Sequence, residues 1–234
     1  MVGSIRVGRY DWKHKKQPHT PGYKNVLIHT TGPLSPYEMT DSNGVIMETY
    51  WQMHKIWTSV AAQNQPLSRF NRKIKRWEHP AEVHIDDQNN ITPQYWAWRA
   101  KGFKNPRWIR YPNGFHNHGS AIGSVLGGPP PLSHKIVGYI EARKKIYFQK
   151  YREIALQTDE FKRLQALLNS GVNIQINEVD GPKEGMAHPY NLVQSGSLEM
   201  TPKILIDLIN NPEQPFGHGY ALAACLLGVD LANC

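Results

Sequence analysis

The apolar positions along the chain follow two different periods, which together predict a mixed α+β protein. Residues 23–30 (Y-K-N-V-L-I-H-T) form an apolar run with the length of a buried strand. Over residues 45–62 the apolar side chains instead recur three and four positions apart, as on one face of a helix. Residues 172–176 alternate apolar and polar side chains, so we predict a half-buried strand there.

The longest helical pattern covers Ser133 to Ser170 and predicts two helices that separate near Gln157. Thr158 is a suitable N-cap for the second of these helices, and Gly171 suits the position that follows its end. Two more helices are predicted, one over residues 202–209 after the Thr201 cap and one after Gly219. We therefore expect a predominantly helical α+β fold with a few short strands.

Breakers and polar stretches outline the organisation of the chain. Residues 1–22 are basic and polar and end in two prolines, which indicates an N-terminal arm. Residues 23–234 have the length of one domain. Within it, residues 67–77 are predicted to form a short helix, and Gly119 to Pro131, rich in glycine and proline, are predicted to form a loop.

The composition limits the class of protein and its partners. A hydrophobic content of 40% and a charged content of 20% are typical of a globular chain rather than a disordered one. The formal net charge of +8 favours a polyanionic partner. No apolar run approaches the roughly 20 residues of a membrane span, and no apolar leader precedes a cleavage site. With two cysteines and no disulfide framework, we expect a cytoplasmic protein without a membrane partner.

One tract, residues 95–118, combines seven aromatic side chains with five lysines and arginines and contains no acidic residue. Aromatic faces stack on bases and cations neutralise phosphates, so the tract is a candidate nucleic-acid interface. The alternative is a core segment of Trp and Tyr whose basic side chains reach solvent. The candidate contacts are Trp96, Trp98, Arg99, Lys101, Lys104, Arg107, Trp108 and Arg110. Two further basic clusters, at residues 6–16 and 69–76, are either part of such an interface or solvated faces.

The segment from Glu48 to Lys55 contains several side chains of the types that take part in catalysis or ligand binding. Glu48, Trp51 or Gln52, and Lys55 are separated by 3, 4 and 7 positions, which places them on one face of a helix. A carboxylate, an amide and an ammonium group can thus converge on one ligand. In the alternative interpretation this is an exposed polar face, with Met47, Trp51 and His54 directed into the core.

Two later segments also carry candidate groups. Glu178 and Asp180 lie on the same side of a strand end, where paired carboxylates suit acid–base work or a clamp on ribose hydroxyls. The alternative for Asp180 is a turn-forming role before Gly181. Gly217 and Gly219 flank the start of a helix, where backbone N–H groups bind anions or glycines allow tight packing. No metal site is predicted, because the histidines at 116 and 118 have no ligand partner at zinc spacing.

Taken in order, five segments of the chain resemble the NADAR/YbiA-like family of N-glycosidases. Residues 47–55 are similar to the family's E-H-Y-x-Q-A-x-K helix and match it at Glu48, Tyr50, Gln52 and Lys55. Residues 167–180 are similar to its L-L-x-T-G-x-x-x-L-x-E stretch with the following Asp. The other segments are residues 34–37, residues 146–151, which end in Lys150-Tyr151 where the family has Lys-Phe, and residues 217–226. Residues of about 60–132 have no counterpart and would form a basic-aromatic insert.

The resemblance implies cleavage of N-glycosidic bonds, which the family performs on riboflavin-pathway intermediates or ADP-ribosylated guanine. Glu48 would stabilise an oxocarbenium-like state and activate water, with Asp180 as a second acid–base group. Lys55 or Lys150 would contact phosphate or protonate the leaving base. The implied substrate contacts are Tyr50, Trp51, Gln52, Glu178, Gly217 and Gly219, and no metal or redox cofactor is required.

Charge and resemblance together lead to a hypothesis of function. We expect an N-glycosidase that acts on nucleic acid, with DNA favoured, as a DNA glycosylase for a modified or adducted base in repair or anti-phage defence. Such an enzyme must first flip the base out of the stack, at a cost of a few kcal/mol. The alternatives are an N-glycosidase for ADP-ribosyl-guanine or riboflavin intermediates as small nucleotides, and a non-catalytic nucleic-acid-binding module.

Overall fold

A computed structural model describes residues 2–63, 77–182 and 196–234. The contacts between Cα atoms divide the chain into two units, and each is described by itself. The first consists of Met1–Met39 and Phe148–Cys234, and the second of Thr40–Tyr147. The sequence predicts one domain over residues 23–234, whereas the structure groups the chain into these two units. The predicted insert at about 60–132 lies entirely within the second unit, and the predicted helix at 67–77 lies almost wholly outside the described residues.

The elements follow one another in a mixed order. The strands are β1 (Ile5–Arg9), β2 (Tyr23–Leu27), β3 (Lys55–Ile56), β4 (Ser59–Val60), β5 (Glu82–Val83), β6 (Gly123–Gly127), β7 (His134–Val137), β8 (Asn173–Glu178) and β9 (Ser197–Glu199). The helices are α1 (Met47–Met53), α2 (Pro93–Phe103), α3 (Tyr139–Ala142), α4 (Gln149–Ala155), α5 (Asp159–Asn169), α6 (Pro202–Asn210) and α7 (His218–Leu226). A π-helical segment, Arg143–Phe148, connects α3 to α4.

A four-stranded sheet with the order β2-β8-β1-β9 organises the first unit. The central strands β8 and β1 are parallel, β2 is parallel to β8, and β9 is antiparallel to β1. Helix α7 packs on β1 and β8 and is flanked by α4, α5 and α6. Since α7 is apolar on all sides, it is buried over most of its length, as expected for a central helix. The carboxyl ends of β1, β2 and β8 consequently lie at one edge of the sheet.

The residues predicted to form an N-terminal arm are instead part of this sheet. Ile5 and Val7 are buried, and the buried Arg6 side chain donates hydrogen bonds to the hydroxyl and carbonyl oxygens of Ser197, both at 2.8 Å. Farther along, the Gln175 side chain donates to the Pro18 carbonyl oxygen at 2.6 Å. The arm prediction is therefore wrong for these residues. The basic composition of this segment concealed a short alternation of apolar residues in β1, whose partners in β8 are 169 positions away in the sequence.

The second unit is built on a three-stranded antiparallel sheet, β3-β6-β7, a two-stranded sheet, β4-β5, and the packing of α1 against α2. Its core is rich in aromatic side chains. It contains Met53, Ile56, Trp57, Val60, Trp77, Ile85, Tyr95, Trp98, Ile109 and Val125. Much of the predicted basic-aromatic insert thus supplies hydrophobic core.

The α+β class is confirmed, but the predominantly helical character is wrong, because 32% of the described residues are helical and 20% are in strands. Residues 134–137 form strand β7 and not helix, and residues 123–127 of the predicted loop form β6. The predicted N-cap contact of Thr158 is confirmed, since its hydroxyl accepts the Phe161 N–H at 3.1 Å. Among the described residues, no helix has the length and apolar character needed to cross a membrane.

Candidate functional site

Helix α1 carries a buried carboxylate–amide pair. Glu48 and Gln52, one turn apart, are only 5% and 6% exposed. Gln52 Nε2 donates a hydrogen bond to Glu48 Oε1 at 3.0 Å. Because a carboxylate only accepts hydrogen bonds, this contact fixes the orientation of the Gln52 amide. The exposed polar face of the alternative interpretation is therefore wrong, whereas the burial of Met47 and His54 that it also predicted is confirmed.

The oxygen of the same amide is an unusual feature of the pair. Gln52 Oε1 is buried and has no hydrogen-bond partner among the described residues. An orphaned buried acceptor of this kind costs about 1–3 kcal/mol of stability. A bound ligand or water that donates to this oxygen would offset the cost.

Lys55 lies beyond the helix, although the sequence placed it on the same helical face. Helix α1 ends at Met53, and Lys55 begins β3 and pairs with Ser124 of β6. Its ammonium group is 5.6 Å from the centre of the Trp51 ring. Within the described parts of the chain, it makes no hydrogen bond and no ion pair within 4 Å. Burial lowers the pKa of Lys55, the Glu48 carboxylate opposes this effect, and the nearby Arg110 charge lowers the pKa further.

A long-range hydrogen bond brings Arg110 beside α1. The Ile109 N–H donates to Thr49 Oγ1 at 2.9 Å, and both residues are buried. The next residue, the exposed Arg110, is thereby held near Lys55. Sequence analysis missed the role of Thr49, because nothing local signals a partner 60 residues away. The second unit thus brings together a carboxylate, an amide, an indole ring and two cations.

Tyr50, another predicted substrate contact, packs against the side of this group. Its ring is stacked on that of Phe103, with a centroid distance of 5.7 Å and an angle of 9°. The Trp51 ring meets Tyr147 edge-on at 5.4 Å. These two contacts restrict the orientations of the Tyr50 and Trp51 rings on α1. Of the two rings, half-buried Trp51 has the ammonium group of Lys55 over it.

A second concentration of ionisable groups lies in the first unit, at the end of β8. Glu178 is 2% exposed and lies below the start of α7, where the N–H groups of Gly219, His218 and Tyr220 are directed at its carboxylate. Burial raises the pKa of Glu178 to about 8, and the neighbouring Asp180 adds to this, while the backbone N–H groups of α7 oppose it. Its Oε1 atom has no hydrogen-bond partner among the described residues. The effect of burial on the pKa of Glu178 outweighs that of the backbone N–H groups, because the start of α7 leaves Oε1 without a hydrogen bond from the described residues.

The glycines that were predicted to bind an anion serve this carboxylate instead. A Cβ atom on Gly217 would lie 2.5 Å from both carboxylate oxygens of Glu178. On Gly219 it would lie 3.0 Å from Oε1. The start of α7 is therefore already occupied by the carboxyl group of Glu178, and this close approach agrees with the packing interpretation of the two glycines.

The other predicted groups of the first unit have different surroundings. Asp180 is half-buried beyond the end of β8. Lys150 forms an ion pair with Glu153 at 3.0 Å on α4, and its side chain is 13% exposed. Glu48 and Lys55 belong to the second unit, and Lys150, Glu178 and Asp180 to the first.

Some side chains of the aromatic-basic tract at 95–118 are buried in the core, and others lie at the surface. Tyr95 and Trp98 are buried on α2, and Trp98 makes edge-on contacts with Trp57 at 6.1 Å and Trp77 at 5.9 Å. Arg99 is also buried and donates to the Gly127 carbonyl oxygen at 3.1 Å and to His54 Nε2. The prediction that Trp98 and Arg99 contact nucleic acid is wrong, because neither side chain reaches the surface. Their spacing on the inner face of α2 directs them into the core.

The remaining members of the tract lie at least partly at the surface. Lys101, Lys104, Arg107 and Arg110 are exposed, and Trp96 and Trp108 are half-buried. Trp96 packs under the guanidinium group of Arg99, at 5.5 Å from the ring centre. A groove of about 720 Å³ runs along the outer face of α2. Its lining residues are Trp77, Glu78, Ala97, Ala100, Lys101, Lys104 and Asn105.

Neither a metal site nor a known relative emerges. Among residues 2–63, 77–182 and 196–234, no group of three or more His, Cys, Asp and Glu side chains is arranged to hold a metal ion. The basic cluster at 69–76 lies outside the described residues. Comparisons with protein-family models, with curated proteins and with solved structures find no match to this chain.

Proposed function

We propose that this protein is an N-glycosidase that acts on nucleic acid, with DNA carrying a modified or adducted base as the favoured substrate. The observation that carries the proposal is the buried Glu48–Gln52 pair, which lies beside a half-buried indole ring and an ammonium group that has no hydrogen-bond partner among the residues the structure describes. This combination matches the needs of N-glycosidic cleavage more closely than any other group of side chains in the described chain.

The chemistry of the bond explains why these groups suit it. Cleavage between C1′ and the base nitrogen develops positive charge on the sugar, which a nearby carboxylate stabilises. Glu48 takes this role, and its hydrogen bond from Gln52 keeps one oxygen fixed while the carboxylate faces the sugar and its attacking water. The two electrons of the broken C1′–N bond leave with the base, and the attacking water forms the new C1′–O bond. The proton that the water loses passes to Glu48 and from there to the departing base.

The polymer part of the proposal rests on charge. The net charge of +8 is accompanied by four exposed cations at positions 101, 104, 107 and 110. Cations that follow one another along a surface neutralise successive phosphates and release their counterions. Since Trp98 is core, the stacking that offsets base extrusion would come from Trp51 or Trp108.

The decisive experiment is incubation with DNAs that carry unmodified, alkylated, glucosylated or ADP-ribosylated bases, followed by detection of abasic sites and released adducts. We expect release from at least one modified DNA and a loss of more than about 100-fold in Glu48→Gln, with DNA binding retained. Glu213→Gln, which changes an exposed glutamate in the same way, is the matched control and should keep full activity.

Other outcomes identify the alternatives. Activity on free nucleotides and none on DNA would favour the small-nucleotide N-glycosidase. DNA binding without release of any base or ADP-ribose, even by the unaltered protein, would indicate a non-catalytic binding module. A Glu48→Gln variant as active as the unaltered protein would exclude the assigned site.

A further inference from the structure

We propose that the loop Asp11–Lys16 is a docking site for a nucleic-acid strand, in which three lysines contact phosphates and Trp12 stacks on a base. This inference rests on the proposed function for the kind of partner, but it concerns other residues, which belong to the first unit. The loop follows β1 in the first unit and has the sequence D-W-K-H-K-K.

The loop is held in one conformation by its own hydrogen bonds. The backbone groups of Asp11 and Lys16 exchange two hydrogen bonds, at 2.7 and 3.1 Å. Asp11 Oδ1 also accepts the N–H groups of Lys13 and His14, at 3.0 and 3.1 Å. The other carboxylate oxygen contacts His14 Nδ1 at 2.6 Å. A loop that is ordered before binding loses less conformational entropy when a ligand arrives.

This arrangement leaves the cationic and aromatic groups at the surface. Lys13, Lys15 and Lys16 are exposed, and within the described residues none of them forms an ion pair. The one carboxylate in the loop is engaged by the loop itself. Trp12 is 44% exposed, so a large part of its indole ring is accessible at the surface of the loop. Three ammonium groups beside an exposed flat ring match a single strand, which offers phosphates and unpaired bases in alternation.

The position of the loop connects it to the candidate carboxylates. The residue before it, Tyr10, donates its N–H to the Glu178 carbonyl oxygen at 2.6 Å. Arg9 donates to the Gly181 carbonyl oxygen at 3.4 Å. The loop therefore leaves the sheet at the carboxyl ends of the parallel strands, beside Asp180. Ligands of parallel sheets bind at this edge, so a strand held by the loop lies next to a predicted acid–base group.

The test measures the binding of a fluorescently labelled single-stranded DNA 16-mer to the full-length protein, by anisotropy and over a range of salt concentrations. The variant Lys13→Gln/Lys15→Gln/Lys16→Gln should bind at least tenfold more weakly, with a salt slope reduced by about 2, or roughly 0.7 for each lost phosphate contact. Trp12→Ala should bind roughly tenfold more weakly with an unchanged salt slope.

A matched variant removes the same charge elsewhere in the same unit. Lys24→Gln/Lys162→Gln/Lys203→Gln changes three exposed lysines outside the loop and should bind nearly as well as the unaltered protein. Unfolding temperatures of all variants are measured as a folding control, and the exposed positions should leave them unchanged.

The outcomes separate this inference from the proposed function. Equal loss of binding in both lysine variants, or no loss in the loop variants, would overturn the docking site while DNA binding itself stands. If the loop variants bind DNA as well as the unaltered protein but lose binding to vesicles that contain anionic lipid, the partner of the loop is a membrane surface and not nucleic acid. Absence of DNA binding by the unaltered protein would contradict the nucleic-acid substrate as well.

Discussion

The carboxylate of Glu178 lies directly against the backbone of Gly217, so close that a Cβ atom on residue 217 would be 2.5 Å from either oxygen. The carboxylate thus takes the place that a side chain at position 217 would occupy. Gly217 has φ −89 and ψ −173, values open to any residue, so its need for glycine arises from this contact and not from backbone strain. Two residues that are 39 positions apart in sequence are therefore mutually constrained.

Gly217→Ala should destabilise the protein. The added methyl group must displace a carboxylate that is 2% exposed and has little room to move, and overpacking of this kind costs about 1–3 kcal/mol. The measurement is the free energy of unfolding in urea. Gly138→Ala is the matched control, because Gly138 also precedes a helix with an extended backbone, yet a Cβ atom there has nothing within 4 Å. Equal effects of the two substitutions would show that position 217 tolerates a side chain.

The protonation of Glu178 should make stability depend on pH. Its pKa is about 8 in the folded protein against an ordinary value of 4.5, so the folded state binds the proton more tightly. The stabilisation is complete below pH 4.5 and is lost as the pH rises to about 8. Over this interval the free energy of unfolding should fall by roughly 1 kcal/mol per pH unit, relative to Glu178→Gln. Glu178→Gln mimics the protonated side chain and should remove this part of the slope. Parallel pH profiles for the two proteins would show that Glu178 is ionised in the fold.

Local patterns in the sequence predicted those parts of the fold that local interactions determine. The alternation in β8 and the caps at Thr158 and Thr201 each depend on a few neighbouring residues, and the structure confirms them. Strand β1 was missed, because its two apolar residues become informative only when β8 lies beside them. The sequence likewise does not reveal the grouping into two units, since the first unit joins both ends of the chain.

The candidate site shows the same limit. The spacing of Glu48 and Gln52 predicted their shared helical face, and the structure confirms that they interact. The prediction for Lys55 assumed that the helix continues to residue 55, whereas α1 ends two residues earlier, at Met53. For the tract at 95–118, composition alone could not separate the core face of α2 from its outer face. The two faces of α2 differ little in polarity, because the buried face includes Arg99 while Ala97 and Ala100 lie on the exposed face.

Substitutions in the tract should therefore have two distinct effects. Trp98→Ala removes a ring that is 1% exposed and should cost about 3–5 kcal/mol of stability, measured by thermal or urea unfolding. Lys101→Gln/Lys104→Gln/Arg107→Gln changes exposed side chains and should weaken DNA binding and reduce its salt dependence, with stability nearly unchanged. If the Trp98→Ala variant is fully stable but binds DNA weakly, the Trp98 ring contacts nucleic acid and the core assignment is wrong.

The lowered pKa of Lys55 gives the site in the second unit its own dependence on pH. Burial and the Arg110 charge make the ammonium group lose its proton below the ordinary value of 10.5. If Lys55 holds a substrate phosphate, affinity for a phosphorylated ligand such as ribose 5-phosphate should fall as the pH rises through this lowered pKa. Lys55→Arg, whose side chain keeps its charge, should bind without this decline. Isothermal titration at a series of alkaline pH values provides the measurement.

The neighbour of Lys55 supplies the sharper form of this test. Arg110→Gln removes a repelling charge, so the pKa of Lys55 should rise and the decline in affinity should move to higher pH. Lys135→Gln changes an exposed lysine of the same unit and serves as the control that should leave the decline in place. A profile that is the same in the unaltered protein, Lys55→Arg and Arg110→Gln would mean that Lys55 does not hold the phosphate. A shift in Arg110→Gln together with a flat profile in Lys55→Arg would assign the titrating group to Lys55 and place Arg110 within reach of its charge.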